Sequence, residues 1–171
     1  MKALLVIDML RDFIDEKGAL TTGPAGVGIV DFIKEKVQEF RAGGYPIIYI
    51  CDNHKADDKE FDMFPPHCIA GTKGSEIIKQ LEPKKEDIII KKRRYSAFFG
   101  TDLDLHLREK QIDEIYMAGV CTNICVLYTA ADARNLAYSV NVYKDGVASF
   151  DEEAHNFALK EMGTTLGCTI L

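Results

Sequence analysis

Apolar residues recur along this chain in two rhythms. Residues 3–7 and 46–51 are unbroken apolar runs, 87–90 and 114–120 are strand-like, and 140–143 and the terminal 169–171 add two shorter segments. Apolar runs without alternation mark parallel strands buried on both faces. Between them, residues 29–40 carry Val30, Ile33, Val37 and Phe40 at helical spacing and stop at Gly43 and Gly44. Leu103 and Leu107 share one face of a helix over 102–110, and 151–162 turns Ala154, Phe157 and Ala158 inward. Residues 74–81 read as a short helix, and 144–148 as a turn leading away from the sheet. After 114–120, Gly119 allows a sharp exit and Thr122 is a good N-cap. The next helix repeats Val126, Thr129, Ala130 and Ala133 at helical spacing. Strands alternating with helices predict a three-layer α/β/α fold with a mostly parallel six-stranded sheet and right-handed crossovers.

Composition narrows the function classes. The 171 residues, 47% hydrophobic and 28% charged, suit one domain over 1–171. A formal net charge of -6, with no basic cluster beyond 91–94, argues against a nucleic-acid surface. No apolar run approaches the ~20 residues needed to span a bilayer, and residues 1–8 lead into a strand without a cleavage-site pattern, so no membrane partner and a cytoplasmic location are expected. Five cysteines, with no CxxC pair, are expected to be free thiols.

Chemistry gathers where the strands end. Asp8, Asp52, Lys92 and Cys125 stand at or just beyond four strand termini. In open α/β sheets, ligands bind beyond the carboxyl ends of the strands, so a parallel sheet brings all four to one rim. Taken singly, Asp8 reads as a turn cap, Lys92 as one member of a solvated KKRR face, and Cys125 as an apolar filler. Together they supply a nucleophile, a base and an electrostatic partner. A cysteine at about the third helical position meets unpaired N–H groups and the positive end of the macrodipole, which favour thiolate over thiol. Cys121 is a second thiol nearby, but it precedes the cap.

A second cluster lies in the polar segment 53–73, which has neither rhythm. With Asp52 at its start, His54, Glu60 and His67 complete two carboxylates and two imidazoles, a set that zinc, iron or manganese accepts. Asp57, Asp58 and Asp62 are rival carboxylates.

These stretches resemble the isochorismatase-like cysteine hydrolases, most closely the nicotinamidases, over almost the whole chain. LLVIDMLRDF is similar to the family's first strand with its catalytic aspartate, KRRYSAFFGTDLD to its catalytic-lysine segment, and GVCTNICVLYTAADA to its nucleophile turn. DNH followed by EFDMFPPHCIAGTKG resembles the metal-binding stretch of nicotinamidases. Asn123 departs from the family's usual aspartate, and Cys121 from a small or aliphatic residue beside the family's cis peptide, here 120–121.

The resemblance implies Asp8 as general base, Lys92 as the group that steadies the charges, and Cys125 as nucleophile. It implies Asp52, His54, Glu60 and His67 as ligands of a divalent metal, zinc foremost, and Phe13, Phe64 and Tyr95 as walls of a pyridine pocket. Backbone N–H groups of Cys121 and Cys125 would form the oxyanion hole. The implied reaction converts nicotinamide to nicotinate and ammonia through a cysteine thioester, with Lys92 lowering the thiol pKa and keeping Asp8 ionised. The small molecule is the implied partner, and the family's tendency to associate makes a homo-oligomer an expectation. The competing expectations are a hydrolase of the same superfamily acting on another small amide or a vinyl ether, and a non-catalytic binding protein of the same fold.

Overall fold

The computed structural model describes residues 1–171. Six strands, β1 (Lys2–Ile7), β2 (Ile47–Asp52), β3 (Ile88–Lys92), β4 (Glu114–Val120), β5 (Ser139–Ala148) and β6 (Thr169–Ile170), form one sheet in the order β3-β2-β1-β4-β5-β6. Every pairing is parallel. The order reverses direction at β1 and β4, so the crevice beyond their carboxyl ends is where a ligand site belongs.

The period-two pleat sorts the apolar runs into two cores. Ala3, Leu5, Ile7, Ile48 and Ile50 pack on one face with α4 (Leu103–Glu109) and α5 (Leu127–Asn135). Leu4, Val6, Ile47 and Tyr49 pack on the other face against α3 (Val30–Ala42), which buries Val30, Ile33, Val37 and Phe40 as its spacing predicts. Before α3, α1 (Arg11–Ile14) and α2 (Gly23–Gly28) are short turns of helix; α6 (Glu152–Thr164) follows β5.

Three expectations need correction. Residues 74–81 do not form a helix: two 3₁₀ turns, Lys73–Ser75 and Lys79–Leu81, flank Ile77, which pairs antiparallel with Leu10. Ile78 N–H donates to Met9 O and Arg11 N–H to Glu76 O, so the backbone finds its partners beyond β1 rather than one helical turn away. Residues 144–148 stay in β5, because a register irregularity opposite Met117 and Gly119 lets the strand rejoin β4 at Val147 and Ala148. Phe157 is 61% exposed, because α6 turns Ala158 and Met162 to the core and the residue before Ala158 lies about 100° around the helix.

Candidate active site

The site begins where β1 ends. Asp8 adopts φ of 52°, a left-handed conformation that aspartate tolerates better than bulkier residues, and this turns the chain off the sheet. Its N–H still donates to Ile50 O at 2.9 Å, and its Oδ1 accepts from Asp52 N at 2.8 Å. Asp8 is thus held by the neighbouring strand at both backbone and side chain. Across the reversal point, Gly119 approaches β1 so closely, at φ of 127°, that a Cβ would lie 1.9 Å from Ile7 O. Only glycine lets β4 deliver the following turn this near to Asp8.

That turn is not the expected helix start. The Val120–Cys121 peptide is cis, and Thr122–Val126 is a single π turn, with Val126 N–H donating to Cys121 O at 3.1 Å. Thr122 does not cap it: Cys121 occupies the cap position, and the Thr122 hydroxyl pairs instead with His155 Nδ1 at 2.8 Å. Cys125 is the fourth residue of the π turn.

Lys92 stands at the centre of the cluster. As the last residue of an edge strand, it alternates with exposed Lys91 and Arg93, and only Lys92 of the four basic residues is buried. Its Nζ donates to Asp52 Oδ1 and to Cys125 Sγ (3.3 Å), and stands 2.9 Å from Asp8 Oδ2. Asp8 Oδ2 is buried with this ammonium as its ion-pair partner. Burial pushes Asp8 up to about 6, and Asp52 adds to the rise while Lys92 opposes it. Burial also opposes ionisation of Asp52, but Lys92, His54 and His67 outweigh it and hold that carboxyl below its ordinary range. Burial opposes the Lys92 charge too, and the two carboxylates overcome it.

The thiol departs from the sequence expectation. Burial lifts Cys125 well above its ordinary value, with Lys92 as the opposing influence and Asp8 and Asp52 adding to the rise. Desolvation of an anion beside two carboxylates exceeds what one ammonium returns. For Asp8, burial and Asp52 raise the carboxyl and Lys92 opposes them, so that at about 6 it is still largely ionised at neutral pH, as expected. The arrangement therefore favours a protonated sulfur next to a carboxylate able to take its proton.

Beside this cluster, Asp52, His54, Glu60 and His67 place four buried donor atoms within 4.8 Å of one another. The segment closes on itself because His54 N–H donates to Cys68 O and Ala70 N–H to His54 O, bringing the imidazoles to a centroid distance of 4.9 Å. His67 Nδ1 lies 2.7 Å from Pro65 O, which directs Nε2 towards Asp52. His54 Nε2 faces Asp52 at 3.5 Å and Glu60 at 3.7 Å, yet it is buried without a hydrogen-bond partner. A buried orphan nitrogen among two carboxylates and a second imidazole fits a borderline divalent cation. Burial raises the Glu60 carboxyl, as does Asp52, against the pull of His54.

The two clusters open into one cavity. Asp52, Glu60, His67 and Cys125 line it, and Phe13, Phe64 and Tyr95 stand among its walls. Cys121 also lines it, as do Leu20, Ile124 and Phe150, which sequence reasoning missed. Phe150 was within reach of the strand-end rule: it follows β5 by two residues once β5 is known to extend to Ala148. The departure at Asn123 is accommodated, because Ser149 donates to Asn123 Oδ1 at 2.6 Å.

With this geometry in view, comparison with known proteins is informative. The isochorismatase domain profile matches residues 2–170. The crystal structure of nicotinamidase PncA from Bacillus subtilis is 42% identical, with a TM-score of 0.94 over 99% of this chain and 98% of that one. Pyrazinamidase/nicotinamidase from Streptococcus mutans UA159 is 40% identical, with a TM-score of 0.93 over 100% of both chains. Pyrazinamidase of Pyrococcus horikoshii, solved in complex with zinc, is 33% identical, with a TM-score of 0.93 over 99% of this chain and 98% of that one. Matched along nearly its full length by the domain profile and by these structures, the chain belongs to the isochorismatase family.

Proposed function

We propose that this protein hydrolyses nicotinamide to nicotinate and ammonia. The observation that carries the reading is the contact of Cys125 Sγ and Asp8 with one buried ammonium, Lys92, where Cys125 itself lines an apolar-walled cavity beside four convergent donors. A flat heteroaromatic amide suits walls of Phe13, Phe64 and Tyr95. The likeness to nicotinamidases and pyrazinamidases supports the same substrate class.

In this mechanism the Asp8 carboxylate takes the Cys125 proton as sulfur adds to the carboxamide carbon, so no free thiolate accumulates in the buried site. The developing oxyanion accepts hydrogen bonds from the backbone N–H groups of Cys121 and Cys125. Asp8 returns the proton to nitrogen, the C–N bond breaks, and ammonia leaves a thioester. Water adds to that thioester while Asp8 accepts one of its protons; Asp8 passes that proton to the departing sulfur, and the carboxylic acid formed gives water's second proton to solvent as nicotinate is released. Lys92 stays charged throughout and offsets the negative charge that moves between Asp8 and sulfur. Asp52, His54, Glu60 and His67 would hold a divalent cation, zinc first by their nitrogen and oxygen donors, with iron or manganese also suited. Bound there, it supplies a Lewis-acidic centre that orients the substrate ring.

Ammonia release measured side by side on nicotinamide, pyrazinamide and N-carbamoyl amines tests the reading. Turnover of the two heteroaromatic amides is the expected result. Turnover of a carbamoyl compound with nicotinamide untouched would overturn it.

A further inference from the structure

Of the three carboxylates that rival Glu60 in the sequence, Asp57 and Asp62 are exposed, whereas the side chain of Asp58 is only 3% exposed and does not line the cavity. Asp58 Oδ2 lies 3.2 Å from His54 Nδ1, and Oδ1 accepts from Glu60 N at 3.1 Å. Arg94 Nη1 donates to Oδ1 at 3.0 Å and to Oδ2 at 3.3 Å. One carboxylate therefore holds the ring of one donor residue, the backbone of a second, and a guanidinium from the segment that leaves β3.

A neutral imidazole carries one ring proton. Set against a carboxylate, Nδ1 keeps that proton and leaves the Nε2 lone pair free. In His54 that is the buried nitrogen without a partner, facing Asp52 and Glu60. Asp58 also caps the 3₁₀ turn Lys59–Asp62 that presents Glu60. Arg94 lies two residues beyond Lys92 and precedes Tyr95, so the Asp58–Arg94 pair fastens the 53–73 segment to the strand exit that supplies the central lysine and one cavity wall.

The geometry points to Asp58 as the positioning residue that aims His54 and Glu60 at a divalent cation, with Arg94 as its anchor. This inference rests on the cation site proposed above.

The test uses the full chain and zinc alone. Zinc affinity is measured by competition with a chromophoric chelator for wild type, His54→Ala, Asp58→Ala, Asp58→Asn and Arg94→Ala. The His54 tautomer is read by ¹⁵N NMR of the metal-free chain at a pH where the ring is neutral. Wild type should bind one zinc per chain, and His54→Ala should lose it. Asp58→Ala should weaken binding by about 10–100-fold, the range typical of groups that orient metal-bound histidines. Asp58→Asn should fall between wild type and Asp58→Ala, because its amide carbonyl still accepts from Nδ1 but no longer carries a negative charge. Arg94→Ala should cost less than Asp58→Ala. In the metal-free chain the Nδ1-protonated signature should dominate in wild type and weaken in the variants. If Asp58→Ala does not fold, the near-isosteric Asp58→Asn carries both measurements. A wild type that binds no zinc removes the cation site itself. Wild-type binding with affinity unchanged within about twofold in the Asp58 variants, and an unaltered tautomer, removes only the positioning role.

Discussion

Around Asp8, Lys92 and Cys125 a buried ammonium of the protein meets the carboxylates, whereas around His54 and His67 none stands among the donors, although Asp52 belongs to both regions. In the first, two carboxylates converge on one buried ammonium, and each group comes from a strand end or from the turn that follows one. In the second, the carboxylates of Asp52 and Glu60 face two imidazole nitrogens, one of them an orphan, and no protein cation completes the set. Strand ends place side chains through the ladder that already holds the sheet. The 53–73 segment has only the single His54–Ile69 bridge and needs further fastenings: Asp58 on His54, Pro65 O on His67, and Asp12, whose Oδ2 accepts from Cys68 N at 2.7 Å. A centre that holds its own ammonium suits chemistry in which a proton moves between fixed groups, and one whose donors converge without a protein cation suits a metal.

The two regions should break differently. The largest effect is expected from Cys125→Ala, which removes the proposed nucleophile and should lower nicotinamide turnover by about four orders of magnitude or more, while Cys121→Ala keeps most of it. Ammonia release by the two variants checks this, and the reverse pattern would reassign the nucleophile. Next, exhaustive chelation should abolish turnover, and zinc readdition should restore it, with the Lys92 centre intact. Full activity in protein shown by elemental analysis to be metal-free would erase the difference between the regions. A smaller effect, seen in stability, is expected from Lys92→Met, which strands Asp8 and Asp52 in the interior. It should cost about 3–5 kcal/mol in denaturant unfolding of the metal-free chain. A loss of under about 1 kcal/mol, the range of an exposed ion pair, would show that the lysine does not balance the buried charge.

Much of this was legible in residue order. The unbroken apolar runs yielded the strands, the 3.6-residue spacing of Val30, Ile33, Val37 and Phe40 yielded α3, and reactive residues at or just beyond four strand ends pointed to one rim. Phe157 and residues 74–81 were misread because local apolar spacing does not say which partner will cover a face or satisfy a backbone.

Residue type and periodicity settle what each segment tends to form and which atoms can react, because both act over a few neighbouring positions. The state of those atoms followed from packing. The helix-start argument favoured a Cys125 thiolate, but enclosure beside two carboxylates raised the thiol, and the same enclosure lifted Asp8 to about 6. Thr122 turned to His155 rather than capping its own turn, and Asp58 became an orienting group instead of a rival ligand. Desolvation and hydrogen-bond partnership depend on what surrounds an atom in space, and residues far apart in the chain supply those surroundings only once the sheet has assembled.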